Sequence, residues 1–159
     1  MGAGKTTIGL KLAERLHKTF IDSDREIENK TGASIPLIFE LEGEAGFRKR
    51  ESEVIKDLTI KPNIVLATGG GAILQKENRQ ALINNGFVIY LSAPIDQLVA
   101  RTSKDKNRPL LQTANPEKVL ADILEKREPY YKEVADIVFE TSKKSIREII
   151  DRIIDELPS

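Results

Sequence analysis

At 159 residues the chain is long enough for one domain with a substantial core. Lys plus Arg and Asp plus Glu both number 25, so no net charge favours a nucleic acid or an anionic membrane surface as partner. There is no cysteine, which excludes disulfides and thiolate metal sites, no apolar run nears the ~20 residues of a membrane span, and no signal-like leader opens the chain, so a cytoplasmic, globular domain is expected.

In chain order, Met1-Gly2-Ala3-Gly4-Lys5-Thr6-Thr7 reads as the back half of a phosphate-binding P-loop, G-x-x-x-x-G-K-[ST], opening a helix. Small residues let backbone N–H groups curl around phosphate oxygens, Lys5 places a charge on the β/γ-phosphates, and the Thr6 hydroxyl suits Mg²⁺. Half a motif is also a common way to begin a helix. Ile8, Leu12, Ala13 and Leu16 then recur at helical spacing, and Thr19-Phe20-Ile21 is a short strand running into Asp22-Ser23-Asp24. Two short helices are expected next, from Arg25 to Lys30 closed by Gly32, and from Ile35 to Glu42, capped by Ser34 and stopped by Gly43. A longer helix from Glu44 to Leu58 carries the stripe Phe47, Val54, Ile55 and Leu58, interrupted by Glu51 three residues after Arg48.

Asn63 to Thr68 is a continuous apolar strand of the buried parallel kind, ending in Gly69-Gly70-Gly71. A helix over Lys76 to Asn84 and a buried strand over Phe87 to Leu91 follow. Pro94 opens a helix, residues 103–114 form a polar basic segment, and Asn115-Pro116 restarts a helix using Val119, Leu120, Ile123 and Leu124. A strand at Ile137-Val138-Phe139 precedes a last helix with Ile146, Ile149, Ile150, Ile153, Ile154 and Leu157 on one stripe. Alternating strands and helices predict an α/β fold with a parallel sheet between helical layers. A P-loop normally follows a strand, and none precedes Met1 here, which suggests a start internal to a longer protein and two central strands with unpaired edges.

Three groups of residues suggest chemistry. Asp22 and Asp24 stand where a strand ends, the usual ligand side of an open α/β sheet; one suits water around Mg²⁺ and the other a substrate hydroxyl, although the run also reads as an ordinary turn. Three glycines in a row give up chain entropy without packing, which suits backbone close to a ligand. Arg48, Arg108 and Arg127 each read alone as solvated charges, yet planar guanidiniums suit a carboxylate or a transferring phosphoryl group. Lone His17 reads as a surface residue.

Taken together the chain resembles the shikimate kinase family, on Gly-Ala-Gly-Lys-Thr-Thr at 2–7, Asp22-Ser23-Asp24, Gly43-Glu44 with Phe47-Arg48 and Glu51, Gly69-Gly70-Gly71, Arg108-Pro109-Leu110-Leu111, and Arg127-x-Pro129-x-Tyr131. The resemblance implies a P-loop kinase fold and transfer of the ATP γ-phosphoryl group to the 3-hydroxyl of shikimate. It implies that Arg48 and Arg127 clamp the shikimate carboxylate, and that Asp24 and Gly70 take its hydroxyls, with Asp24 as base. Lys5 and Arg108 would stabilise the transferring group, and Gly2, Ala3, Gly4, Lys5, Thr6 and Thr7 would cradle the phosphates. Thr6 and Asp22 would hold Mg²⁺, and Arg101 and Lys143 would lie near adenine. It further implies a substrate-binding subdomain over residues 22–58, a lid over 103–114 and a monomer. Gluconate and nucleoside-monophosphate kinases share the P-loop and lid but call for a different acceptor pattern. A homologue that binds without turnover is the other alternative.

Overall fold

The computed structural model describes residues 5–94, 98, 116–141 and 144–158. Helix α1 (Lys5–Leu16) buries Ile8, Gly9, Leu12 and Ala13. Strand β1 (Thr19–Asp22) leads without a loop into α2 (Ser23–Thr31), because the Asp22 side chain caps that helix by accepting from the Asp24 and Arg25 amides. Gly32 ends α2 in the left-handed region at φ 69°, its N–H returning to the Glu28 carbonyl.

Helix α3 (Ile35–Thr59) starts on Ser34 and is broken at Gly43, whose φ of 72° and ψ of −179° no helical residue adopts. The two helices expected around Gly43 are therefore joined end to end without an intervening loop. After it come β2 (Ile64–Ala67), a 3₁₀ turn at Ala72–Leu74, α4 (Lys76–Asn85), β3 (Ile89–Ser92), α5 (Pro116–Val134), β4 (Ile137–Glu140) and α6 (Ile146–Glu156). Leu98, of the helix expected after Pro94, is buried against Leu120, while the basic segment 103–114 lies outside the described residues. Pro129 lies inside α5, so the Arg127-x-Pro129-x-Tyr131 pattern sits on one continuous helix.

Both described strand pairs are parallel, as expected. Strand β1 pairs with β2, Thr19 opposite Ile64 and Asp22 opposite Ala67, and β3 pairs with β4, Ile89 opposite Ile137. Side chains alternate between faces along β2 and β3. Val65, Ile89 and Leu91 join Ile8, Leu12, Ile149, Ile150 and Ile153 under α1 and α6. On the opposite face Leu66 joins Ile27, Val54 and Leu58 of α2 and α3, and Tyr90 joins Ile73, Tyr131 and Val134 beneath α5. The result is three layers, α/β/α.

The described strands nevertheless form two pairs and not one continuous sheet. Strands β2 and β3 both border a cavity of about 620 Å³ floored by Ile8, Leu12 and Leu16. Among the described residues no strand lies between them, and their inner edges have no strand partner. This corrects one expectation. Strands β2 and β3 read as fully buried, but Ile64, Val65, Leu66 and all of β3 are only half-buried, because one side of each borders that space.

A version of the chain carrying an extra apolar strand ahead of Lys5 is expected to melt about 10 °C or more higher, since burying two or three aliphatic side chains contributes about 1.5–3 kcal/mol each. Equal melting temperatures, measured by circular dichroism, would show that the space between the two strand pairs does not admit a strand.

Candidate active site

The C-terminal ends of β1 and β2 and the start of α1 meet at one point. Lys5, the first described residue of α1, donates from Nζ to the Thr68 carbonyl just past β2. The next residue, Gly69, donates its N–H to the Ser23 hydroxyl at 3.3 Å. Asp24, in the first turn of α2, presses its carboxylate on Gly69: a Cβ there would lie 2.9 and 3.2 Å from the two Asp24 oxygens and 3.3 Å from Glu51 Oε2. Glycine is required at 69 because two acidic side chains occupy the space a methyl group would take.

Gly71 is required for a related reason. The Arg48 guanidinium lies flat against it, and any side chain at 71 would collide with both terminal nitrogens. Arg48 sits in the second half of α3 and is only 9% exposed. Its Nη1 donates to Glu51 Oε1 at 2.9 Å, one helical turn on, and its Nη2 meets Glu44 at 3.4 Å nearer solvent. Glu51 is fully buried. Burial pushes its carboxyl above the ordinary carboxylate range, Arg48 opposes this by charge and hydrogen bond, Asp24 adds to the rise, and Arg127 opposes it. Arg48 Nε and Glu51 Oε2 have no hydrogen-bond partner among the described residues.

Helix α5 brings the second guanidinium. Arg127 is 5% exposed and acts electrostatically on both Glu51 and Tyr131. Tyr131, one turn later, donates its hydroxyl to the Gly70 carbonyl at 2.6 Å. The turn that follows is held from α4, where Asn78 Nδ2 donates to the Ala72 carbonyl at 2.9 Å and Arg79 Nη1 to those of Ile73 and Leu74 at 2.8 and 3.2 Å. The glycine segment is thus a backbone cradle fixed from three helices, with two buried cations and two carboxylates beside it.

Of the residues expected from sequence, Lys5, Asp24, Arg48, Gly70 and Arg127 are brought together. Thr6 and Thr7 are exposed in the first turn of α1. Asp22 has Oδ1 engaged in capping α2, at 2.9 Å from the Asp24 amide. Thr6 and Asp22 carry hard oxygen donors, the chemistry Mg²⁺ selects. Gly2, Ala3, Gly4, Arg101, Arg108, Lys143 and the expected lid lie outside the described residues. His17 is exposed in the turn after α1. Sequence reasoning gave no role to Ser23, Glu51, Asn78, Arg79 or Tyr131. Spacing carried a signal for two of them, Glu51 at i+3 from Arg48 and Tyr131 at i+4 from Arg127; the other three had none.

Comparison with known proteins gives a consistent result. The profile of the family described as Shikimate kinase matches residues 1–158. The shikimate kinase of Burkholderia lata is 57% identical over 157 residues, covering 99% of this chain and 85% of that protein. That of Chromobacterium violaceum is 53% identical over the same coverage. Among solved structures, shikimate kinase from Acinetobacter baumannii in complex with shikimate superposes with a TM-score of 0.95 at 52% identity, covering 99% of this chain and 91% of that one. Shikimate kinase from Aquifex aeolicus superposes with a TM-score of 0.82 at 36% identity, covering 97% and 89%.

The raised Glu51 pKa sets a pH dependence. Glu51 contributes stability below the ordinary glutamate value of about 4.3 and loses that contribution as pH rises through its higher folded value. Glu51→Gln is neutral throughout, so its melting temperature relative to the parent is expected to rise between about pH 4 and pH 7. A difference that falls over that range would mean that Arg48 outweighs burial.

Proposed function

The chain belongs to the shikimate kinase family, and on that premise we propose that Arg48 and Arg127 hold the carboxylate of shikimate while Asp24 takes the proton of its 3-hydroxyl. The chain phosphorylates shikimate at the expense of ATP, as an enzyme of the shikimate pathway. The observation supporting the assignment of roles is the pair of buried guanidiniums beside a glycine cradle that also carries the Asp24 carboxylate. Fixed cations suit a small carboxylic acid, since their planar N–H groups match its two oxygens. Glu51 keeps Arg48 in place without consuming its Nε donor.

Asp24 sits at the cradle's far side, on Gly69, within reach of a hydroxyl whose acid end is held by the arginines. Lys5 marks the phosphate end at Thr68 and stabilises charge on the transferring group. Thr6 and Asp22 are the residues that would hold Mg²⁺, which when bound would neutralise charge on the nucleotide phosphates. The reading requires proton acceptance at the Asp24 carboxylate, anion binding at Arg48 and Arg127, and phosphate contact at the N-terminus of α1. The residues 22–58 that include α2 and α3 act as the substrate-binding subdomain.

ADP release from ATP and Mg²⁺ is expected to depend on shikimate; shikimate binding by calorimetry without ADP release would make the chain a non-catalytic homologue. Arg48→Ala or Arg127→Ala is expected to weaken shikimate binding by about 2–4 kcal/mol, roughly 30- to 800-fold. Unchanged affinity in a folded variant would remove that arginine from the clamp. Asp24→Asn is expected to lower turnover about 10²–10⁴-fold with a smaller change in KM, because a general base acts on the reacting proton. Near-normal turnover would end the base assignment.

A further inference from the structure

The Gly70–Gly71 peptide is flanked by two residues without a Cβ, so no local side chain restrains its rotation. One group grips it from outside: the Tyr131 hydroxyl, which donates to the Gly70 carbonyl at 2.6 Å. Arg127 stands one turn earlier on the same helix, so the bond that fixes Tyr131 to the cradle also fixes the stretch of α5 that carries Arg127.

On the other side of the peptide, Gly71 forms the surface on which the Arg48 guanidinium lies. Tyr131 is 9% exposed and its ring stacks on Tyr90 with centroids 4.7 Å apart, leaving the hydroxyl little freedom to move away. The Tyr90 hydroxyl is turned elsewhere, donating to Glu128 at 2.7 Å. Arg48, the glycine cradle and Arg127 come from three segments of chain, and the Tyr131 hydroxyl ties the second to the third.

We propose that Tyr131 is a positioning residue for substrate recognition, its hydroxyl setting the distance between the Arg127 end of the clamp and the Gly70–Gly71 floor on which Arg48 rests. The inference rests on the assignment of Arg48 and Arg127 to the shikimate carboxylate. Tyr131 bears on the cradle at Gly70, so its contribution is to the binding of the acid and not to phosphoryl transfer.

The test is steady-state kinetics on Tyr131→Phe, which keeps the ring and its stacking, beside Tyr90→Phe, which deletes a hydroxyl from the same stack without touching the cradle. Tyr131→Phe is expected to raise KM for shikimate about tenfold, as loss of a buried hydrogen bond would, with kcat within about threefold and KM for ATP within about twofold. Tyr90→Phe is expected to leave KM for shikimate within about twofold. An unchanged KM in folded Tyr131→Phe, or an equal rise in Tyr90→Phe, would overturn the proposal. Arg127→Ala, assayed in parallel, separates the two levels. If it raises KM while Tyr131→Phe does not, only the Tyr131 role is lost; if neither does, the clamp assignment fails with it.

Discussion

The buried ion pair between Arg48 and Glu51 is the constraint around which the site is arranged. Taking both groups out of water costs several kcal/mol per ion before their attraction offsets it, and a similar pair of apolar residues would be at least as stable. The pair is intelligible as a functional feature: a carboxylate buried one helical turn from Arg48 holds its guanidinium flat on Gly71 with one donor still uncommitted. Glycine at 71 and 69 follows from it, because the arginine and the acidic pair Asp24 and Glu51 fill the volumes where side chains would stand.

Position comes from the sheet. Parallel strands bring all their C-terminal ends to one side, so Asp22 and Thr68 emerge together and α2, the glycine segment and the start of α1 share one corner. The cradle is then held by side chains from elsewhere, Ser23 on Gly69, Tyr131 on Gly70, Asn78 on Ala72 and Arg79 on Ile73. A loop so restrained presents its backbone to a ligand with little ordering left to do, which is where affinity for a small molecule is most easily gained.

The catalytic corner and the cavity between the strand pairs adjoin, since Lys5, Thr68, Gly69 and Gly70 border both. Packing on either side of that cavity is well developed. Ile149, Ile150 and Ile153 close one face, and Ile27, Val54 and Leu58 the other. The layers therefore persist through their helices, while among the described residues the two strand pairs are linked across the cavity by side-chain packing and not by a strand ladder.

Much of this was legible in the residues alone, for local reasons. Periodicity marks α1 and α6, capping chemistry marks Ser34 and the Gly43 break, and apolar runs mark β2 and β3, because each depends on neighbours within a few positions. The ordered motifs identified the family for the same reason: their residues sit at sequence spacings that are readable without the fold. Legible in the residues, then, were the α/β alternation and the family. Tertiary structure alone decided which groups meet. Nothing local distinguishes Arg48 from a solvated arginine until Glu51 and Gly71 enclose it, and nothing in a tyrosine at 131 points to a carbonyl 61 residues away. Those contacts depend on burial and on the approach of distant segments, which a linear sequence does not record.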